Sequence, residues 1–310
     1  MFYLLKGSFP HLLIILFFIV MQIVLKDIHF AYPVSSDVPV LSGLSCTIGE
    51  GELVGVIGKT GSGKSTFLQL CTGFLFPDSG EIRVDGAAMR KAKDWSAVRR
   101  KLGIVFQFPE KQLFEESVFA DVAFGVSRGI EDKEEIKKIV YAALEEVGLS
   151  PEEFAGRSPH HLSSGEQRRA ALAGVVVHGP ELLFLDEPTI GLDRKGASEV
   201  ESIIRRFHRS GKSVCVVSHD LDFIVRVAER IVVIADRSVK FDGEKNRLFS
   251  DNGLLHSFGL QKPEIVALCE AICEQQKIRV QGVYSIGELI AALTRVMNSP
   301  RVPGAYGSSE

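Results

Sequence analysis

The sequence predicts an α/β fold built around a largely parallel sheet, and three observations support this. From residue 51 onward, short apolar strand-like segments alternate with amphipathic helical segments, the order typical of βαβ units. A glycine-rich segment, GKTGSGKS, follows the first of these strands. A later strand, ELLFLDEP, ends in two adjacent carboxylates.

The strand candidates of this sheet are ELVGVIG, KLGIVFQ, ELLFLDEP, SVCVVSHD and RIVVIAD. Ahead of them, MQIVLKDIHFAYP alternates like a strand and ends in a turn. Between about residues 109 and 162 the strands stop, and EDKEEIKKIVYAALEEVGLS predicts an amphipathic helix ending at Gly148. This stretch is therefore predicted to be an all-helical insertion.

After Asp242 the pattern weakens into two short helical segments, PEIVALCEAICEQQ and SIGELIAALTRVM. They predict a small C-terminal helical extension over residues 243–297, which we expect to contact a second subunit. The segment that ends the chain, SPRVPGAYGSSE, predicts a disordered tail over residues 298–310.

Composition limits the function classes. The 310 residues carry a net charge of −3, with 45% hydrophobic and 24% charged residues, which is ordinary for a globular protein. No basic surplus is available to neutralise phosphates, so we expect no nucleic-acid partner. The five cysteines are odd in number and lie mostly in apolar runs, which favours buried reduced thiols and a reducing compartment.

The N-terminus is the compositional anomaly. Leu12 to Leu25 is an uncharged run of fourteen residues, shorter than the roughly 20 apolar residues of a membrane-spanning helix. No small-residue cleavage site follows it, as a signal peptide would require. We therefore expect residues 1–20 to be an apolar extension upstream of a true start at Met21. The alternative is an anchor at a membrane surface.

Gly58 to Ser65 fits the phosphate-loop pattern G-x-x-x-x-G-K-[ST], after a strand and before a helix. Its glycines let backbone N–H groups curl around phosphate oxygens, helped by the positive end of the following helix. Lys64 is expected to reach the β- and γ-phosphates of ATP, and the Ser65 hydroxyl to bind Mg²⁺. The candidate nucleotide-binding residues are Gly58, Lys59, Thr60, Gly61, Ser62, Gly63, Lys64, Ser65 and Thr66.

The strand ELLFLDEP ends in Asp186 and Glu187, which point to opposite sides of the strand and need not share a role. Asp186 can hold Mg²⁺ through water, while Glu187 orients and deprotonates an attacking water. Alone, such a pair is more often an exposed surface feature than a catalytic pair. Because the phosphate loop is also present, we favour the catalytic interpretation.

Together these motifs resemble the ATP-binding cassette family, the nucleotide-hydrolysing domains of ABC transporters and their soluble relatives. The resemblance implies a P-loop cassette over residues 21–242, with a mostly parallel core sheet, an antiparallel β subdomain, an inserted α-helical subdomain and a small C-terminal helical extension. The motifs occur in the family's order: Tyr32, the phosphate loop, Gln107, LSSGEQ at 162–167, Asp186 with Glu187, GLD at 191–193, and His219.

The resemblance also implies a role for each motif. Tyr32 would stack on adenine, although a core tyrosine would have the same sequence context. Gln107 would approach Mg²⁺ and the attacking water and join the sheet to the helical insertion, and His219 would contact the γ-phosphate. In the family the signature closes over ATP held by a second cassette. The residues implied in binding nucleotide there are Ser163, Ser164, Gly165, Glu166 and Asp193.

The signature departs from the family's pattern at Ser164, where glycine is usual, and more mildly at Glu166, which replaces a frequent glutamine. Glycine is favoured where the backbone approaches a phosphate closely or adopts a positive φ. If Ser164 holds a negative φ, its Cβ is tolerated. If it does not, this signature closes the slow site of an asymmetric pair. We favour tolerance, because serine is small and Ser163 is retained.

Three segments resemble the ATPase subunits of energy-coupling factor transporters and the related cobalt and nickel importers. They are FQFPEKQLFEESVFADVAFG, RSPHHLSSGEQRRAALAGV and FGLQKPEIVAL. The single phosphate loop differs from the two of ribosome-acting cassettes, and no sustained heptad stretch marks a DNA-repair cassette. The alternatives are the ATPase of another bacterial importer and a stand-alone soluble ATPase.

This resemblance implies an ATP-hydrolysing motor at the cytoplasmic face of the cell membrane, with ATP and Mg²⁺ as its cofactors. The implied partners are a second ATPase subunit, identical or a paralogue, a transmembrane coupling subunit and a substrate-capturing membrane subunit. Pro109, Leu113 and Phe114 would line a groove for a helix of the coupling subunit, although Phe114 alone could equally be a core residue. The cargo would be a vitamin or a Ni²⁺ or Co²⁺ ion, which this chain need not touch.

Overall fold

The structure, a computed structural model, describes residues 21–33, 38–127, 129–278, 280 and 282–298. The predicted extension over residues 1–20 and residues 299–310 of the predicted tail lie outside the described residues. Among those described, no helix combines the length and apolar character needed to cross a membrane.

Ten strands form two sheets in the described part of the chain. They are β1 (Ile23–Phe30), β2 (Leu41–Ile48), β3 (Leu53–Ile57), β4 (Ser79–Val84), β5 (Ala87–Ala88), β6 (Leu102–Val105), β7 (Leu182–Asp186), β8 (Ser213–Val217), β9 (Arg230–Ala235) and β10 (Ser238–Glu244).

The helices pack on both sides of the central sheet. They are α1 (Lys64–Cys71), α2 (Trp95–Val98), α3 (Val118–Phe124), α4 (Lys133–Glu146), α5 (Pro151–Phe154), α6 (Ser164–Val176), α7 (Arg194–Arg209), α8 (Leu221–Val227), α9 (Lys245–Phe249), α10 (Asn252–Ser257), α11 (Glu264–Gln276) and α12 (Ile286–Asn298). Short 3₁₀ turns cover Arg99–Lys101, Pro109–Gln112 and Pro159–His161.

The central sheet has the strand order β10-β9-β3-β8-β7-β6, and every pair except β10–β9 is parallel. All residues of β3, β7 and β8 are buried, because helices or a second sheet cover both faces. Each of the five predicted strands is present. The predicted α/β fold with a mostly parallel core sheet is therefore confirmed.

Side chains of the central strands alternate between two cores. In β7, Leu183 and Leu185 face a core shared with the large helical layer, whereas Leu182 and Phe184 face a core shared with α1 and the second sheet. This alternation sends Asp186, the next residue of the second row, toward the side on which α1 lies. The phosphate loop immediately precedes that helix.

The second sheet is antiparallel, with the order β2-β1-β4-β5. In β1 the predicted alternation of buried and exposed residues breaks between Leu25 and Ile28. Asp27 adopts a positive φ of 53° there, and the pairing register shifts, as a β-bulge requires. The antiparallel subdomain implied by the resemblance is present.

The insertion between β6 and β7 contains helices and no strand in its described residues. Asp132 caps α4 by accepting from the Glu134 backbone N–H at 2.9 Å, and Gly148 follows the helix with φ +75°. The buried face of α4, made of Val140, Ala143 and Leu144, joins the helical core. The predicted amphipathic helix is confirmed, and α6 packs against both α3 and α4.

The C-terminal segment packs as α9 to α12 onto the same helical core, through residues such as Ile265, Cys269 and Leu289. Strand β10 continues to Glu244, two residues past the predicted boundary at 242. Helix α12 reaches Asn298, which the prediction placed in the tail. The five cysteines are free thiols, as expected, and only Cys273 is less than fully buried.

Candidate functional site

Four neighbouring strands of the central sheet bring the predicted catalytic residues to one edge. The phosphate loop follows β3, His219 follows β8, the Asp186–Glu187 pair ends β7, and Gln107 lies two residues beyond β6. Because these strands are parallel and adjacent in the order β3-β8-β7-β6, their carboxyl ends lie side by side. The edge therefore collects residues that are up to 161 positions apart in the chain, the separation of Gly58 and His219.

The phosphate loop needs glycine at two positions, because at each a Cβ would clash with a different neighbour. Gly58 has φ +155°, and a Cβ there would lie 2.2 Å from the carbonyl oxygen of Ile234 on β9. Gly63 has φ +99°, and its Cβ would lie 2.6 Å from a methyl group of Leu41. Any larger residue at Gly58 or Gly63 would push the loop away from its neighbours, so glycine keeps the loop close to the sheet.

Lys64 lies inside the curl of the loop. Its Nζ donates to the carbonyl oxygens of Gly58 at 2.9 Å and Lys59 at 3.1 Å. Burial lowers the pKa of Lys64, while the nearby charges of Glu187 and Asp186 raise it. A desolvated ammonium group held this way is placed to bind an anion entering the loop.

Asp186 is buried behind the phosphate loop, and only part of its carboxylate group is hydrogen-bonded. Its Oδ1 atom has no hydrogen-bond partner among the described residues. Burial raises the pKa of this carboxyl group, and a hydrogen bond with Ser65 lowers it. Hydroxyl and carboxylate oxygens are ligands that Mg²⁺ prefers, so Ser65 and Asp186 fit a divalent cation.

Glu187 follows Asp186 in a strained conformation, with a positive φ of 49°. Its carboxylate accepts from the Ser218 hydroxyl at 2.8 Å and from the backbone N–H of His219 at 3.1 Å. The Nδ1 atom of His219 lies 2.7 Å from Glu187 Oε1. Left-handed backbone at a non-glycine residue persists where the surroundings enforce it, often at functional sites.

Ser218 was missed by the sequence analysis. It stands between β8 and His219, and its hydroxyl is the shortest donor to Glu187 apart from the histidine contact. The only signal was its place in the segment SVCVVSHD, since serine is common in turns after strands. Its contact with Glu187 depends on the pairing of β7 with β8.

Tyr32 and Gln107 lie at opposite ends of the row of strand ends. The Tyr32 hydroxyl is 3.1 Å from Thr66 Oγ1, at the start of α1, and 3.3 Å from Gln69 Oε1. Its ring packs edge-on against Phe30 and stays partly exposed. Tyr32 therefore lies beside the start of the phosphate-loop helix, and its stacking on adenine stays a prediction.

The signature begins α6. Ser163 is the N-cap, and it forms a capping box with Glu166: each side chain accepts a hydrogen bond from the other residue's backbone N–H. Both Ser163 and Ser164 are exposed to solvent. Ser164 is the first residue of the helix and does not have a positive φ, so the condition for tolerating serine there is met.

Asp193 is the N-cap of α7 and accepts from the Gly196 backbone N–H at 2.7 Å. The structure thus joins the phosphate loop, Asp186, Glu187 and His219 at one edge of the sheet. Ser163 to Glu166 and Asp193 lie at two helix starts instead, where the side chains of Ser163, Glu166 and Asp193 cap their own helices. A Cβ at Gly165 would meet no atom of this chain within 4 Å.

The fold and this edge of the sheet define an ATP-hydrolysing cassette, and comparison with known proteins agrees. A family model described as ABC transporter matches residues 41–190. An energy-coupling factor transporter ATP-binding protein, EcfA2 of Clostridium perfringens, is 38% identical over 84% of this chain and 92% of its own length. The EcfA protein of Methanocaldococcus jannaschii is 35% identical over 85% and 94%.

Solved structures agree with the sequence relatives. CbiO1 of Clostridium perfringens, described as part of the ABC transporter complex cbiONQ, is 32% identical, has a TM-score of 0.69 and covers 80% of this chain and 98% of its own. A dimeric ADP- and Pi-bound cassette, MJ0796, is 29% identical, with a TM-score of 0.65, and covers 72% and 98%. The chain belongs to the ABC transporter family, among the energy-coupling factor transporter ATP-binding proteins. The predicted class, a transport-coupled ATPase, is confirmed.

We predict that Ser164→Gly changes the ATPase rate of the assembled complex by less than about threefold, or under roughly 0.7 kcal/mol of barrier. The reason is that Ser164 already adopts a helical φ, which glycine would not relieve. Gly165→Asp should abolish activity by placing a carboxylate against phosphate. Steady-state phosphate release measures both variants, and a tenfold gain from Ser164→Gly would instead identify a degenerate signature.

We predict that Asp186→Asn raises the thermal unfolding midpoint of the nucleotide-free protein by about 2–4 °C, the shift given by about 1 kcal/mol in a domain of this size. The amide removes a carboxylate whose charged form is disfavoured by burial. The further stabilisation that Mg²⁺ adds to that of ATP should be lost in the same variant. Differential scanning fluorimetry measures both effects.

The matched control is Asp94→Asn, because backbone N–H groups of Arg90 and Lys91 lower the pKa of Asp94. That substitution should leave the midpoint unchanged or lower it. A midpoint that falls for Asp186→Asn would contradict the prediction.

Proposed function

We propose that this chain binds MgATP at the described edge of the sheet and hydrolyses it with Glu187 as the general base. The observation that carries the proposal is the 2.7 Å contact between Glu187 and His219 beside the buried Lys64 and Asp186. A general base must be held at one position close to the attacking water. The hydroxyl of Ser218 and the backbone N–H of His219 hold this carboxylate.

Each neighbouring group has a separate role in the proposal. The phosphate loop and Lys64 bind and orient the phosphates, and Ser65 with Asp186 would hold Mg²⁺, which neutralises phosphate charge when it is bound. His219 contacts the γ-phosphate with the imidazole nitrogen that does not face Glu187. Tyr32 would stack on adenine, and Gln107 would contact bound Mg²⁺ and the attacking water.

The proposed active unit is a head-to-tail pair of cassettes with two ATP molecules between them. The exposed Ser163 and Ser164, at the positive end of α6, can bind the γ-phosphate of an ATP held by the other cassette. That contact needs the Ser163 hydroxyl, which now donates to Glu166 Oε2 at 2.7 Å. The cassette MJ0796 is dimeric in its solved structure, which supports this arrangement.

An exposed aromatic pair supports a membrane partner. The Phe114 side chain, 61% exposed, packs edge-on against Phe124, 44% exposed, with ring centroids 5.0 Å apart. Pro109 is buried and Leu113 packs partly buried against the helical core, so among the three predicted groove residues Phe114 is the main candidate for contact. We propose that a short helix of a transmembrane coupling subunit covers this pair.

The remaining proposals follow from the relatives. We place the chain at the cytoplasmic face of the cell membrane, in a complex that also contains a substrate-capturing membrane subunit. The proposed cargo is a vitamin or a transition-metal ion. The C-terminal extension, including α11 and α12, is proposed to contact the second cassette.

We predict that Glu187→Gln keeps ATP binding and slows hydrolysis by roughly 10²- to 10⁴-fold, because the amide cannot accept a proton. Single-turnover and steady-state rates of the assembled complex, with a fluorescent ATP analogue for affinity, measure this. The matched control is Glu181→Gln just before the same strand, where Glu181 pairs with Lys101 at 3.2 Å. Glu181→Gln should hydrolyse normally, and a normal rate for Glu187→Gln would refute the assignment.

We predict that Phe114→Ser weakens co-purification with the transmembrane coupling subunit at least tenfold and leaves ATP affinity within twofold. The side chain is largely exposed, so its loss removes contact area without opening the core. Val38→Ser, in the segment before β2 and 55% exposed, is the control for removing an apolar surface residue. If Phe114→Ser instead lowers the unfolding midpoint and keeps its partner, Phe114 is a core residue.

A further inference from the structure

Arg168 is a buried charge that the roles described above do not use. It lies on α6, the helix that the signature begins, and its side chain is 4% exposed. Burial lowers the pKa of Arg168, and the charge of Glu110 offsets part of that effect. A charge in this position is weak evidence for stability, since a well-packed apolar residue is often as stable there. The hydrogen bonds of Arg168 indicate a role other than stabilising the fold.

The guanidinium group of Arg168 touches both segments that carry the proposed catalytic side chains. Its Nη1 donates to the carbonyl oxygen of Pro188, next to Glu187, at 2.7 Å. Its Nη2 donates to the carbonyl oxygen of Gln107 at 3.4 Å and lies 3.6 Å from Glu110 Oε2. One side chain of the signature helix thus contacts the backbone after β7 and the backbone after β6.

The contacts of Arg168 with the two segments differ in length. The contact with Pro188 is short, whereas the two on the side of Gln107 are long. Arg168 Nε and Glu110 Oε2 are buried and have no hydrogen-bond partner among the described residues. A small movement of the Gln107 segment toward α6 would bring Glu110 Oε2, which lies 3.6 Å from Arg168 Nη2, within hydrogen-bond distance of the guanidinium group.

The geometry points to Arg168 and Glu110 as positioning residues. They fix the positions of Gln107 and Glu187 relative to α6, the helix that the signature begins. When the signature closes over the ATP of the second cassette, α6 moves with it, and Arg168 carries that movement to the loops of its own site. This inference rests on the roles proposed for Gln107 and Glu187. It predicts that the pair affects turnover more than nucleotide binding.

The test is Arg168→Met in the assembled transporter complex, because methionine keeps much of the volume and removes every hydrogen bond. We expect kcat to fall about 10- to 100-fold, as for a displacement of catalytic groups by about 1 Å, with KM for ATP within about twofold. Arg168→Lys should recover part of the rate, since ammonium can donate to one of the two carbonyl oxygens. Amide exchange over residues 106–110 should rise in Arg168→Met.

The matched control is Arg169→Met. Arg169 is the next residue on α6, is 12% exposed and forms an ion pair with Glu199 on α7 instead of contacting the catalytic loops. Its substitution should leave kcat within about twofold. Equal losses for Arg168→Met and Arg169→Met would mean that packing of α6 is the cause, and would overturn the inference, as would a normal kcat for Arg168→Met.

Glu110→Gln decides the question if Arg168→Met does not fold. It keeps the Pro188 contact and weakens only the pairing near Gln107, so kcat should fall at least threefold at unchanged KM. An unchanged kcat for this variant would then overturn the inference. Glu187→Gln, measured in parallel, separates the two proposals. A normal hydrolysis rate for Glu187→Gln refutes the base assignment. A slow rate for Glu187→Gln, together with normal rates for Arg168→Met and Glu110→Gln, refutes only the positioning role.

Discussion

Backbone hydrogen bonding in parallel register joins β3, β8, β7 and β6, and this pairing decides where every group at the edge of the sheet lies. The carboxyl ends of parallel strands meet at one edge, where helices begin and backbone N–H groups are free to bind anions. The loop after β3 supplies the phosphate site, and the ends of the next three strands supply carboxylates, a histidine and a glutamine. If one strand changed its position in the sheet, these groups would separate.

This arrangement holds charged side chains away from water, which is energetically unfavourable. Burial shifts the pKa of Lys64, Asp186 and Arg168 in the direction that opposes their charged forms. Such groups reduce the stability of the nucleotide-free protein, and in the proposed complex a bound nucleotide with Mg²⁺ would compensate the first two. The same desolvation strengthens their interaction with phosphate, so the features that reduce stability serve binding.

The proposed pairing of two cassettes depends on where the signature lies. Ser163 and Ser164 are exposed at the start of α6, outside the row of strand ends, and within this chain Ser163 caps the helix. A helix start that offers exposed hydroxyl and N–H groups can serve the nucleotide of another subunit. The helical layer therefore combines three tasks: it covers one face of the sheet, it presents the signature, and it carries the exposed Phe114–Phe124 pair.

The sequence by itself determined the α/β class, the five central strands, the helical insertion and the motif residues, because those depend on local periodicity and on short patterns such as Gly58 to Ser65. Only the tertiary structure decided that Ser218 holds Glu187, that Leu113 is half-buried beside an exposed Phe114, and that Arg168 contacts two distant loops. The physical reason is that strand order and helix packing are non-local. The contact between Ser218 and Glu187 requires that β7 pairs with β8, and the contacts of Arg168 require that α6 packs against the loop after β6. These segments are far apart in the chain, so no local sequence pattern encodes their pairing or packing.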